Sequence, residues 1–191
     1  MDDKLLEEVT LGAIRRECGL AAGPLLRVAE SGVKAVHRFH FNIGGMREFL
    51  SEDIRKSVEH RADFEQLAAV RGPVVYVFEI CPPTSPGAVL AAARAYAGSR
   101  AVPARRKSID DTSPVLYVGK VKKAFWGRVI QHLGFSRTAA TQGLQLHHWT
   151  RGMALELTLT AYEFEDDMAD LLPLVEQALA RQLRPLLGKH E

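Results

Sequence analysis

Val115-Leu116-Tyr117-Val118-Gly119-Lys120, with Phe125-Trp126-Gly127-Arg128-Val129-Ile130-Gln131-His132 behind it, reads as a strand that turns into a helix. The first run is a short apolar strand that ends on a Tyr and a Gly. A basic turn follows. The second run has helical spacing, with Phe125, Val129 and Leu133 as its apolar stripe, and it sets Arg128 and His132 four residues apart on one face. A phenol, a guanidinium and an imidazole meet at a strand-to-helix junction, where a purely structural connection needs no polar equipment.

Working outward, two more strands are expected. Val74 to Ile80 is β-branched and aromatic and carries Tyr76. Ala154 to Phe164 alternates, with Leu155, Leu157, Leu159 and Ala161 on one face and Glu156, Thr158, Thr160 and Tyr162 on the other. Between the first two strands lie a Pro-rich turn, an Ala-rich helix over 89–96 and a polar, basic loop over 98–113. Residues 134–149 read as a loop. A last helix covers about 167–183, and Pro173 either kinks it or marks its true first turn. The first third reads as helical: 3–20 with Gly19 as a stop, a turn at Gly23-Pro24, helix again over 25–36, and 46–70 with Ser51 as N-cap. Phe39 to Gly45 reads as a loop or short strand. The spacing around Gly19 does not fit a helix-turn-helix. The order predicts an α+β fold, a small three-stranded antiparallel sheet flanked by helices, with a helical N-terminal extension. The division is residues 1–70 as a helical region and 71–191 as the main domain, with an insertion at about 82–113.

Composition is that of a soluble globular chain: 191 residues, 47% hydrophobic and 25% charged, with a net charge of +2. The charge is unevenly placed. From Arg94 to Arg128 there are nine basic residues, including Arg105, Arg106, Lys107, Lys120, Lys122 and Lys123, against only Asp110 and Asp111. Such a run is either a solvated loop or a footprint for phosphates. The two cysteines, Cys18 and Cys81, have no metal-ligand spacing and exclude a disulfide scaffold. With no signal-peptide core and no apolar run of membrane-spanning length, a soluble, cytoplasmic protein with no membrane partner is expected.

Glu176 is the remaining chemical candidate. On the last helix, Met168, Leu172, Val175, Leu179 and Leu183 form the apolar stripe, and Glu176 falls at its edge. A carboxylate there needs a positive partner, a metal or water. His147-His148 lacks a third ligand at suitable spacing and reads as structural, and Trp126 and Trp149 read as core.

The ordered set Val74-Val75-Tyr76, Tyr117-Val118-Gly119, Arg128 with His132, and Glu176 with Pro185 nine residues later resembles the GIY-YIG nuclease family over residues 72–190. The Tyr117-to-Arg128 interval of eleven is similar to the family pattern. Two features depart from it. Tyr76 and Tyr117 are about forty residues apart rather than close, and Gly188 stands near where the family often has an asparagine. The resemblance implies hydrolysis of a DNA phosphodiester with one Mg²⁺ or Mn²⁺, for which Glu176 is the sole protein ligand. It implies that Tyr76 orients or deprotonates water, that Tyr117 hydrogen-bonds phosphate or water, and that Arg128 stabilises phosphoryl charge. His132 then holds the phosphate or assists Tyr76. Arg105, Arg106, Lys107, Lys120, Lys122 and Lys123 track the DNA backbone. One such site cuts one strand, so a double-strand break implies a homodimer or sequential nicking. The alternatives are a non-catalytic nucleic-acid-binding module that retains the fold, and an interaction domain with no nucleic-acid role.

Overall fold

A computed structural model describes residues 3–103, 111–136 and 143–188. Helix α1 (Asp3–Ser31) leads into strand β1 (Ala35–Asn42). A 3-10 turn (Ile54–Lys56) and helix α2 (Arg61–Ala69) precede β2 (Val74–Ile80), α3 (Pro86–Ala95) and β3 (Val115–Val121). Then come α4 (Phe125–Leu133), the one-turn α5 (Leu146–Trp149), β4 (Glu156–Glu163) and α6 (Leu172–Leu183). Mixed helix and strand is as expected, and the three anticipated strands form as β2, β3 and β4.

The sheet has four strands rather than three, in the order β1-β4-β2-β3, with every neighbouring pair antiparallel. The extra strand is β1. It spans part of the stretch expected to be helix over 25–36 and the stretch expected to be loop or strand beyond it. Its pattern is that of an edge strand: Phe39 and Phe41 face the core while His40 and Asn42 face out. The charged outer face hides the apolar alternation from a local reading.

The helical reading of 46–70 is also corrected. Only the 3-10 turn and α2 are helical, and the cap is Asp53, whose side chain accepts the Arg55 backbone N–H at 3.1 Å, not Ser51. Val58, which helical spacing from Leu50 and Ile54 puts on the apolar side, is 96% exposed, so the helical period breaks there. At the N-terminus, α1 runs unbroken through Gly19, Gly23 and Pro24 where a stop and a turn were expected. Pro173 lies in the first turn of α6, where its missing N–H costs no helical bond.

Two apolar clusters sandwich the sheet. On one face Tyr76, Phe78, Leu157, Leu159 and Ala161 meet Phe125, Val129 and Leu133 of α4, together with Phe49, Phe64 and Leu67 from the chain before β2. On the other, Val75, Val77 and Val118 meet Met168, Leu172 and Ala180 on and before α6. Leu116 and Tyr117, neighbours in sequence, both join the α4-side cluster. The pairing explains this. Phe78 lies opposite Tyr117 but Glu79 lies opposite Val115, so β3 carries one extra residue, a bulge that breaks the alternation. Beyond α6 the chain returns along β3: the Leu186 and Leu187 N–H groups donate to the Val115 and Leu116 carbonyls at 2.9 and 3.0 Å, covering part of that edge. Among the described residues, no helix is long and apolar enough to cross a membrane.

Candidate active site

Tyr76 sits on β2 opposite Gly119 of β3, and Tyr117 sits opposite Phe78. A Cβ on Gly119 would come within 2.5 Å of the Tyr76 hydroxyl and 2.6 Å of a Tyr117 ring carbon. The absence of a side chain at that position is what lets the two phenols lie together, with ring centroids 6.3 Å apart.

α4 supplies the next two groups. Its amphipathic period buries Phe125, Val129 and Leu133, and Arg128 and His132 follow one turn apart on the side facing the tyrosines. His132 Nε2 lies 2.7 Å from the Tyr76 hydroxyl oxygen, and the Arg128 Nε–H donates to the same oxygen at 3.2 Å. The His132 ring is 5.4 Å from Tyr76 and 5.1 Å from Tyr117.

The backbone assigns the tautomer. The Leu144 N–H donates to His132 Nδ1 at 3.0 Å, so Nδ1 carries no proton and the neutral ring carries its proton on Nε2. His132 is completely buried, and that burial, helped by the Arg128 charge, pushes its pKa well below the ordinary value, so the neutral form is the one present at pH 7. Nε2–H therefore donates to Tyr76. The phenol oxygen then accepts two hydrogen bonds, from His132 and Arg128. A hydroxyl has two acceptor positions and one donor, so only the Tyr76 proton remains uncommitted.

Both phenols resist ionisation. Burial raises the Tyr76 pKa far above its usual value, neighbouring Tyr117 adds to this, and Arg128 opposes it. Burial likewise raises Tyr117, again opposed by Arg128. The Glu176 charge weighs against ionising either ring. Burial disfavours the Arg128 cation, but the phenols outweigh it and its pKa stands above the usual value. Gln131 Oε1 also accepts from Arg128 Nη1 at 2.8 Å.

Glu176 belongs to α6, on the opposite face of the sheet, and its residue is 8% exposed. It is paired with Lys120, which lies on β3 opposite Val75. This is the positive partner that a carboxylate at the border of an apolar face requires. A carboxylate is a hard oxygen donor of the kind Mg²⁺ and Mn²⁺ prefer, and here Lys120 is the cation that holds it. Among the described residues, no group of three or more His, Cys, Asp and Glu is gathered to hold a metal.

The structure thus brings Tyr76, Tyr117, Arg128 and His132 into one cluster, with Glu176 near enough for its charge to act on both rings. The expected basic footprint divides. Arg105, Arg106 and Lys107 lie outside the described residues. Lys120 pairs with Glu176, Lys122 pairs with Asp170, and Lys123 is exposed. The histidine pair is structural: the His148 Nε2–H donates to the Gly134 carbonyl at 2.9 Å, and His147 packs 3.3 Å from Glu48. Trp149 is core, with its indole N–H on the Leu144 carbonyl at 2.6 Å. Trp126 is half-buried beneath the Arg55 guanidinium, 4.6 Å from its ring. Sequence reasoning missed Gln131, though its i,i+3 spacing from Arg128 was there to be read. It also missed the Leu144 N–H, which has no side-chain signature to find. Comparisons of this chain with known protein families, with curated proteins and with solved structures returned no match.

Proposed function

We propose that this protein is a metal-dependent DNA endonuclease of the GIY-YIG type. The observation that carries the reading is the convergence on one buried phenol oxygen of His132 and Arg128, from a helix some fifty residues beyond Tyr76, beside a second phenol and a carboxylate–lysine pair. A core that only had to pack would fill this volume with apolar side chains, because each buried polar group costs free energy unless it is satisfied.

Each residue has work that follows from its contacts. Arg128, cationic and partly buried, stabilises negative charge on a phosphoryl oxygen. Tyr117, less buried than Tyr76, offers its hydroxyl to phosphate or water. His132 positions Tyr76: both its ring nitrogens are engaged, so of its two expected roles the geometry favours assistance over phosphate binding. Tyr76, with both acceptor positions filled, presents its proton to a water or phosphate oxygen and loses it only when further positive charge is near. Glu176 holds the divalent cation, which when bound supplies charge to neutralise phosphoryl oxygens and to acidify water. Lys120, freed from the carboxylate, is placed to pair with a phosphate.

The test is nicking of supercoiled plasmid in Mg²⁺, Mn²⁺ or EDTA by wild type, Glu176→Ala and Arg128→Ala, with circular dichroism to establish folding. The expected result is metal-dependent nicking that falls by roughly 10²-fold or more in each variant, the scale seen when one transition-state contact is removed. Cleavage unchanged in folded Glu176→Ala would overturn the assignment of the metal ligand. A second reading, a nucleic-acid-binding module without catalysis, draws on the burial of Tyr76, which is only 1% exposed. It predicts salt-sensitive DNA binding by all three proteins and nicking by none.

A further inference from the structure

On the outward side of α4 stands a glycine. At about 100° per residue, Gly127 falls opposite the buried Phe125, Val129 and Leu133, with Arg128 on one flank and Trp126 on the other. Glycine inside a helix is destabilising. A Cβ at Gly127 would meet nothing within 4 Å, so no packing among the described residues requires it. The missing side chain leaves a low crest that an outside molecule can cross at close range, from Arg128 to Trp126.

On the Trp126 flank Arg55 is held in one pose. Its guanidinium carbon lies 4.6 Å from the Trp126 ring centre. Its Nε–H donates to Asp53 Oδ1 at 2.8 Å and its Nη2 to Oδ2 at 2.6 Å. Asp53 is fixed in turn, because it caps the 3-10 turn by accepting the Arg55 backbone N–H. The hydrogen bonds from Arg55 hold its carboxyl down to about 2, so the pair stays ionised near neutral pH. One face and one edge of the guanidinium are thereby taken. The other edge, Nη1 with the second Nη2 hydrogen, meets no acceptor among the described residues, and the side chain is 44% exposed. Clefts open on both sides of the pair, one lined by Trp126, Ile130 and Phe135, the other by Phe64 and Ala68. The other acids bordering them, Glu52 and Glu65, are paired with Arg47 and Arg61.

We infer that Arg55 reads a guanine in the DNA bound at Arg128, with Asp53 and Trp126 positioning it. The inference rests on the proposed endonuclease and adds a base contact to it. Two coplanar N–H donors match two coplanar acceptors, the O6 and N7 of guanine in the major groove. Asp53 favours a base edge over a phosphate, since it already neutralises the guanidinium and would repel a second anion. An exposed ion pair by itself stabilises the fold little. Fixing the fork before it binds, by contrast, lowers the ordering cost of the contact. Trp126 and Arg128 leave opposite flanks of a helix about 10 Å across, which sets the guanine about three base pairs from the phosphate held by Arg128.

Binding-site selection from a randomised DNA duplex, with the full chain in Ca²⁺ and in EDTA, tests it. The selected duplex is then titrated beside the same duplex carrying adenine, or 7-deazaguanine, which lacks N7, at the selected position. The expected result is one enriched guanine, with binding weakened roughly 10-fold when adenine replaces it and weakened also by 7-deazaguanine. Arg55→Ala and Arg55→Lys, shown to be folded by circular dichroism, should bind the three duplexes alike, because lysine keeps the charge but not the fork. An Arg55 that only supported the fold would weaken all three duplexes equally and leave the preference in place. A wild-type chain that binds DNA with no base preference would overturn this inference and leave the endonuclease standing. So would a preference that survives in folded Arg55→Ala. A chain that binds no DNA at low salt under either condition would overturn both.

Discussion

His132 has a titration that can be measured. Its folded pKa lies below the ordinary value of about 6.5, so as pH falls the unfolded chain takes up a proton that the folded chain refuses. The stability this contributes is present in full above pH ~6.5 and is lost as pH drops towards the folded pKa, at a slope of up to about 1.4 kcal/mol per pH unit. Urea unfolding between pH 8 and 5, above the range where carboxylates titrate, should show this loss. His132→Gln, though less stable throughout, should lack that share of the slope. His148, also lowered mainly by burial, acts in the same direction. A second expectation concerns Gly119. In Gly119→Ala the new methyl meets two phenols, one of them pinned by His132 and Arg128, so flexible retreat is denied. Denaturant midpoints should show a loss of about 1–3 kcal/mol, the usual cost of overpacking. Residue identities were legible at this scale: both tyrosines, Arg128, His132 and Glu176 stand out as polar groups among apolar neighbours. Their protonation was not, because the Leu144 N–H that settles it arrives from a segment twelve residues away.

Among elements, β2, β3 and β4 were legible because their apolar runs and alternation are local signals. α4 and α6 were legible from their stripes: the helix expected over 122–133 begins at Phe125, and the one expected over about 167–183 begins at Leu172, with Pro173 marking its first turn. β1 was legible only in part, as a loop or short strand from Phe39, since Arg38, His40 and Asn42 make one face polar, and its pairing with β4, from Ala35 opposite Glu163 to Asn42 opposite Glu156, is what extends it back to Ala35 and makes it a strand. Glu163 shows what this strand adds. Its buried carboxylate accepts the Gly72 N–H at 3.0 Å and lies 2.9 Å from His37 Nε2 of β1. A chain that begins at residue 71 loses this partner, uncovers the β4 edge, and strips Phe39, Phe41, Phe49, Phe64 and Leu67 from the α4-side core. Such a fragment should be unfolded or aggregated by circular dichroism and light scattering. A chain beginning at residue 21, which keeps Leu25 and Val28 of α1 against the α6-side cluster, should retain a cooperative unfolding transition.

At the scale of the whole molecule, the two faces of the sheet have separate assignments. The α4 face holds the phenols, Arg128 and His132, and the α6 face holds Glu176 and Lys120. Removing the charge of Glu176 should therefore leave the α4-side cluster intact, so Glu176→Gln should keep the wild-type near-UV circular dichroism of the packed tyrosines, and the endonuclease proposed above requires that the same variant lose metal-dependent nicking. The kinds of element, three of the four strands and the polar residues set among them can be read along the chain, because apolar periodicity and residue chemistry are written within a few positions of one another. The folded chain was needed to see that residues 35–42 complete the sheet, that His132 donates to Tyr76 rather than accepting from it, and that Lys120 is the cation facing Glu176. Each of those rests on contacts between segments distant in the chain, and packing, not local pattern, selects such contacts.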